Sequence, residues 1–158
     1  MSYCELKDAL SEVLGISVKE KPLKASDGRI SGYNIAIRED IESDIDKKCV
    51  LYEELGHLFT TVGDITRCSS VDAMKQEHRA RRFAYNAWLP IDRLYEAQEA
   101  GCEELWEAAS FLGVSESFLK EAIECYAQKY GTQGKIGEYS IYFYPFKIEK
   151  KEEEQGGK

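Results

Sequence analysis

Cys49-Val50-Leu51-Tyr52-Glu53-Glu54-Leu55-Gly56-His57-Leu58-Phe59 is the stretch that decides how the chain folds. Read as a helix at about 100° per residue, it gathers Leu51, Leu55 and Leu58, with Val62 beyond them, into one apolar stripe. Glu53, Glu54 and His57 fall within an arc of roughly 100° on the other side. The expected helix runs from about Asp46 to Val62 and stops at Gly63-Asp64. One face is core, and the opposite face carries two carboxylates and an imidazole.

That spacing is the one found in H-E-x-x-H, where the side chains at i and i+4 bind a metal and the glutamate at i+1 acts as a base on the bound water. Here the first position is Glu53, the base position is Glu54 and the last is His57. Gly56 inside the helix costs about 1 kcal/mol relative to alanine and marks a place where another backbone or a substrate passes close by. Acidic pairs followed by a histidine also occur on solvated helix faces, so the pentapeptide alone leaves both readings open.

A second helix narrows the choice. It is expected to begin near the caps Ser69 and Ser70 and to continue to Leu89, where Pro90 ends it. Ala73, Ala80, Ala84 and Trp88 lie within about 60° of Glu77 around this helix, so a carboxylate stands on an apolar, small-residue face. A carboxylate there requires a partner: a metal, for which a glutamate on a following helix is a familiar third ligand, or a cation such as Arg81 one turn on, or the helix dipole. His78 points about 100° away from Glu77 and reads as a surface residue. Cys49 lies at i−4 from Glu53 and is a reserve ligand, although packing is the usual role of a free cysteine.

Outward from this pair, residues from about Tyr3 to Leu14 carry Leu6, Ala9, Leu10, Val13 and Leu14 with helical spacing, ending at Gly15. Between Lys24 and Asp40, turn material at Ser26-Asp27-Gly28 and Ser31-Gly32 flanks the alternating run Tyr33 to Arg38, which predicts a small antiparallel sheet. Glu96 to Tyr130 reads as two helices broken at Leu112-Gly113-Val114-Ser115, with Ser115 capping the second. A short strand follows over Tyr139 to Tyr144, closed by Pro145. The expected organisation is a single α+β domain over 1–147, mostly helical with a small antiparallel sheet, and a disordered charged tail over 148–158.

The 158 residues suit one domain, and 43% hydrophobic with 32% charged is a globular composition. With 29 acidic against 21 basic side chains the net charge is −8, which disfavours generic nucleic-acid binding. Five widely spaced cysteines, Cys4, Cys49, Cys68, Cys102 and Cys125, form no C-x-x-C pair and fit reduced thiols. No apolar run is long enough for a signal peptide or a membrane span, so a cytoplasmic location is expected.

At Glu53-Glu54-Leu55-Gly56-His57, Glu77-His78-Arg79-Ala80-Arg81-Arg82-Phe83-Ala84, Leu89-Pro90 and Phe111-Leu112-Gly113-Val114-Ser115 the sequence resembles the ImmA/IrrE family of small zincin-like metallopeptidases. Members are often encoded near phage or mobile-element repressors. The resemblance covers about residues 28 to 126 and implies a minimal zincin fold. It makes His57 and Glu77 metal ligands and Glu54 the general base, with Glu53 standing where the family usually has its first histidine ligand. The implied metal is Zn²⁺, while the Glu/His/Glu donor set also admits Mn²⁺, Fe²⁺ or a metal-free form. The implied reaction is hydrolysis of a peptide bond in a protein substrate, a transcriptional repressor by analogy with the family. An extended peptide is expected to add as a strand beside Tyr33 to Arg38.

Two other classes compete. A catalytically impaired descendant would bind a regulatory protein without cutting it, a reading that Glu53 in the ligand position keeps open. The segment Ala108 to Leu119 has the turn of a helix-turn-helix, but its second helix presents Glu116, Glu121 and Glu124 with Lys120 as the cation, a face that repels phosphates. That helix pair is therefore assigned to packing or to docking a protein partner.

Overall fold

The computed structural model describes residues 1–60 and 70–152. The expected helix stop at Gly63-Asp64, the stripe position Val62, the thiol of Cys68 and the cap Ser69 lie outside the described residues, as does the end of the tail.

The chain opens with α1 (Tyr3–Leu14), started by a capping box in which Ser2 accepts from the Glu5 amide and Glu5 accepts from the Ser2 amide. Gly15 ends it in the left-handed region at φ 66°, where a glycine avoids the Cβ penalty. Its core face is Tyr3, Leu6 and Leu10; Val13 and Leu14, read as part of the stripe, are exposed, because the last turn runs past the edge of the core.

The strands β1 (Ser17–Lys21), β2 (Gly28–Ser31) and β3 (Asn34–Arg38) form a sheet in the order β1-β3-β2. β2 and β3 are an antiparallel hairpin, and β1 runs parallel to β3, with Val18 opposite Ile35. The sheet is therefore mixed. Strand β1, Ser-Val-Lys-Glu-Lys, escapes a reading by alternation because it offers one aliphatic residue among charges, the composition of a protected edge strand. The central β3 buries Ile35 and Ile37 against the helices.

Helix α2 (Asp44–Thr60) buries Leu51 and Leu55 completely and Leu58 in part. Helix α3 (Ser70–Trp88) packs along it through Ala80 and Ala84, both fully buried. Gly56 is what lets the two backbones meet, for a Cβ there would fall inside the van der Waals envelope of the Ala80 carbonyl oxygen and 3.3 Å from the Ala84 Cβ. The Tyr52 and Trp88 rings stack at 4.2 Å between centroids across the same seam.

Pro90 begins α4 (Ile91–Glu99), followed by α5 (Leu105–Leu112) and α6 (Glu116–Tyr130), so the stretch expected as two helices contains a further break before Leu105. Ser115 caps α6 by accepting from the Phe118 amide. The α6 core face is Phe118, Leu119, Ala122 and Tyr126, and the Tyr126 hydroxyl donates to the buried Leu89 carbonyl at 2.9 Å. Its exposed residues include Glu116, Lys120 and Glu124.

A second, antiparallel sheet, β4-β5-β6, is made by β4 (Gln133–Ile136), β5 (Tyr139–Tyr142) and β6 (Lys147–Lys150). The expected single strand is thus the middle of three. Order continues to Lys150 inside the stretch read as tail, because Ile148 is fully buried opposite Ile141. The Gln98 side chain in α4 donates to the Ile148 carbonyl at 2.7 Å and accepts from the Ile148 amide at 2.8 Å, fastening this sheet to the helices. Six helices and two small sheets give a mostly helical α+β fold among the described residues. No helix there is long and apolar enough to cross a membrane.

Candidate metal centre

The antiparallel seam of α2 and α3 sets the site. His57 lies one residue beyond Gly56, and Glu77 lies one turn before Ala80, so the contact that glycine permits brings these two side chains face to face. His57 Nε2 is 3.2 Å from Glu77 Oε2, and Arg81 Nε is 3.1 Å from the other oxygen, Glu77 Oε1. Arg81 is the i+4 cation that the sequence offered. Glu77 stands at the end of the small-residue face and remains 44% exposed, so it reaches over the seam without being buried in it.

Glu53 and Glu54 lie one turn earlier on α2, both half-buried. Burial pushes the Glu53 carboxyl up, the Arg81 charge draws it down, and the Glu121 and Glu77 carboxylates push it up again. Burial is also the main cause that raises Glu54, to about 7, against the pull of His57. The hydrogen bond to Glu77 raises His57, with the Glu77, Glu54 and Glu53 carboxylates adding to it and burial opposing. The same bond lowers Glu77, helped by His57 and Arg81.

Gly28 is the residue that sequence reasoning passed over. It was expected as turn material, yet it begins β2 and lies directly over Glu54: a Cβ there would come within 2.7 Å of Glu54 Oε1 and 2.9 Å of Val50 Cγ1. A glycine opening a strand beside a helix that carries an acid is the signal that was available. Glu121 of α6 was also missed in this role; it accepts from the Tyr85 hydroxyl at 2.7 Å and raises Glu53 electrostatically. The Tyr85 hydroxyl is committed to that bond and the Tyr52 ring to its stack on Trp88.

The expected place for an added peptide strand changes. Strand β3, which holds Asn34 to Arg38, is the centre of its sheet and is paired on both sides, so it has no free edge; the edge beside α2 belongs to β2. His78 is exposed on α3, and Cys49 is buried in the core, packed on the side of α2 toward Ser115.

Among the described residues no three His, Cys, Asp or Glu side chains converge closely enough to hold an ion. The donor chemistry nevertheless fits one. Two ligands of a tetrahedral ion bound at about 2.0–2.1 Å stand about 3.3 Å apart, close to the His57–Glu77 separation of 3.2 Å. Glu53 lies at i−4 from His57 on the same helix without converging on the pair, and Arg81 is the positive charge beside the carboxylates.

The model of the IrrE N-terminal-like domain, a peptidase family designated M78, matches residues 11–124. No curated protein and no solved structure gives a significant match. The matched span runs from α1 into α6 and contains the whole of the mixed sheet and the α2–α3 pair, leaving the second sheet outside it. This family is of metallopeptidase type, with a metal as its cofactor. Covering well over half of the sequence, and all of the elements that position His57 and Glu77, the match shows that the chain belongs to the IrrE N-terminal-like family.

Proposed function

We propose that the chain is a metal-dependent endopeptidase that hydrolyses a protein substrate, a transcriptional repressor of a phage or mobile element. The observation that carries the catalytic part is the 3.2 Å approach of His57 to Glu77 across the α2–α3 seam, beside the half-buried Glu53 and Glu54. The repressor follows from the family resemblance alone, and such a substrate would place the reaction in the cytoplasm.

Glu53, His57 and Glu77 would hold the metal, zinc first and manganese or iron as the alternatives a carboxylate-rich set tolerates. When bound, the ion polarises the scissile carbonyl and acidifies water. Glu54 is the base. It would take a proton from the attacking water and return it to the leaving amine, and burial raises its carboxyl above the ordinary carboxylate range. Glu77 holds His57 through Nε2, the nitrogen that would turn to the metal, and Arg81 occupies Glu77 Oε1.

Glu54→Gln tests this directly, since the amide keeps the shape and cannot take the proton. The variant is expected to retain the metal content of the parent and to lose cleavage of a co-expressed repressor by at least 100-fold. Undiminished cleavage would remove Glu54 from the role of base. A second reading, a regulator that binds its partner without cutting it, draws support from Arg81 bonding Glu77 where an ion would be needed. Elemental analysis separates the two: less than one transition metal in ten chains after incubation with zinc or manganese would favour the regulator.

A further inference from the structure

Between the start of α2, the β2–β3 end of the mixed sheet and the first turns of α6 lies a cavity of about 400 Å³. Its lining mixes the apolar side chains of Ile41, Val50 and Phe118 with the carboxylates of Asp27, Glu42, Asp46, Glu53 and Glu121, with Glu42 and Asp46 among those exposed. Glu53, one turn before His57 on α2, is in this lining, so the cavity lies beside the candidate metal centre.

The charge of this cavity is one-sided. Arg38 is the cation in the lining, and it is already held by Asp27 at 2.7 Å and Asp40 at 2.6 Å. Glu121, also in the lining, accepts from Tyr85. Glu42 and Asp46 make no side-chain ion pair among the described residues, and the hydrogen bond from Asp46 to Ser43 comes from its backbone amide. A concave surface lined by one sign of charge focuses the field and concentrates the opposite ion. A lining that mixes Ile41, Val50 and Phe118 with five carboxylates matches a side chain that lays an aliphatic stem on apolar groups and keeps a cationic head beside acids, as lysine and arginine do. An anionic side chain would be repelled, and a purely apolar one would leave the wall without a partner.

We propose that this cavity is the specificity pocket of the site and takes an arginine or lysine side chain next to the bond to be cleaved. The inference rests on the peptidase reading for the word specificity, while the pocket's preference for a cation stands on the cavity itself.

The test is a titration of the full chain, labelled with ¹⁵N, with N-acetyl-arginine methylamide, and with the norleucine and glutamate analogues as probes of stem and charge. The arginine compound is expected to shift the amides of Val50, Ser117 and Phe118 saturably, at least tenfold more tightly than norleucine, and glutamate is expected to leave them unmoved. In Glu42→Gln/Asp46→Asn, whose dispersed spectrum reports that it is folded, the arginine affinity should fall about tenfold and the norleucine affinity should not. Equal binding of arginine and norleucine, or an undiminished arginine affinity in the double variant or in Glu42→Gln alone and Asp46→Asn alone, would overturn the proposal. Cleavage of a peptide mixture distinguishes the two readings. Cutting without preference for basic residues sinks the pocket and keeps the peptidase; selective arginine binding with no cutting under zinc or manganese keeps the pocket and sinks the peptidase.

Discussion

Replacing Gly56 by alanine opposes two effects of known sign. Helix propensity alone favours alanine by about 1 kcal/mol, so an unencumbered α2 would be stabilised. Packing does the reverse: the new methyl would fall well inside the usual C···O separation of about 3.3–3.6 Å from the Ala80 carbonyl, and that atom is backbone and cannot swing away. To relieve the contact, α3 must retreat from α2 by on the order of 1 Å, enough to forfeit a quarter to a half of the dispersion energy of each pair along the seam. Overpacking of this kind costs about 1–3 kcal/mol, and against the propensity gain of about 1 kcal/mol the net expectation for Gly56→Ala is a loss of up to about 2 kcal/mol. The same retreat would carry Glu77 beyond hydrogen-bonding reach of His57, since their 3.2 Å bond leaves little slack. Urea unfolding of chelator-treated parent and variant, followed by far-ultraviolet circular dichroism, measures the first consequence, and zinc affinity by chelator competition measures the second. A variant more stable than the parent, by the full propensity gain of about 1 kcal/mol, would refute the claim that Gly56 is there for the Ala80 backbone.

Zinc affinity should fall at least tenfold in Glu53→Ala and be restored to the parent value or better in Glu53→His; an unchanged affinity in the alanine variant would exclude Glu53 as a ligand. Arg81→Gln removes the cation that holds Glu77 Oε1, and zinc should then bind several-fold more tightly, measured with the same chelator. Gln98→Ala deletes both hydrogen bonds to Ile148 and leaves the half-buried Ile148 amide and carbonyl without those partners, so a loss of about 1–3 kcal/mol is expected in urea unfolding.

The sequence made the α2–α3 pair legible because its apolar and small residues repeat at helical spacing over many turns, and because a glycine inside a helix is costly enough to require a reason. The same arithmetic put Glu53, Glu54 and His57 on one face of α2, Glu77 on the small-residue face of α3 and Arg81 within reach of Glu77. What stayed hidden depends on contacts between distant segments. Strand β1 has too few apolar residues for alternation to show, and its parallel pairing with β3 is a matter of topology. Gly28 reads as turn chemistry until β2 is seen lying on Glu54. Glu121 is one acid among several on α6, and only the docking of that helix against Tyr85 singles it out. Val13 and Leu14 keep a perfect stripe and are exposed regardless, because periodicity does not report where the core ends.

The double bond between the Gln98 amide and Ile148 has a consequence for the behaviour of the protein at high concentration. β6 is an edge strand, and an edge strand offers a row of donors and acceptors on which another chain can pair. A side-chain amide that gives one proton and receives another occupies the Ile148 positions of that row much as a neighbouring strand would. The flanking Lys147, Glu149 and Lys150 place charges of both signs along the rest of the strand. Helix α4 thereby closes an open template, and loosening it by the Gln98 substitution should raise the tendency of the folded protein to self-associate through β6 as well as its ease of unfolding.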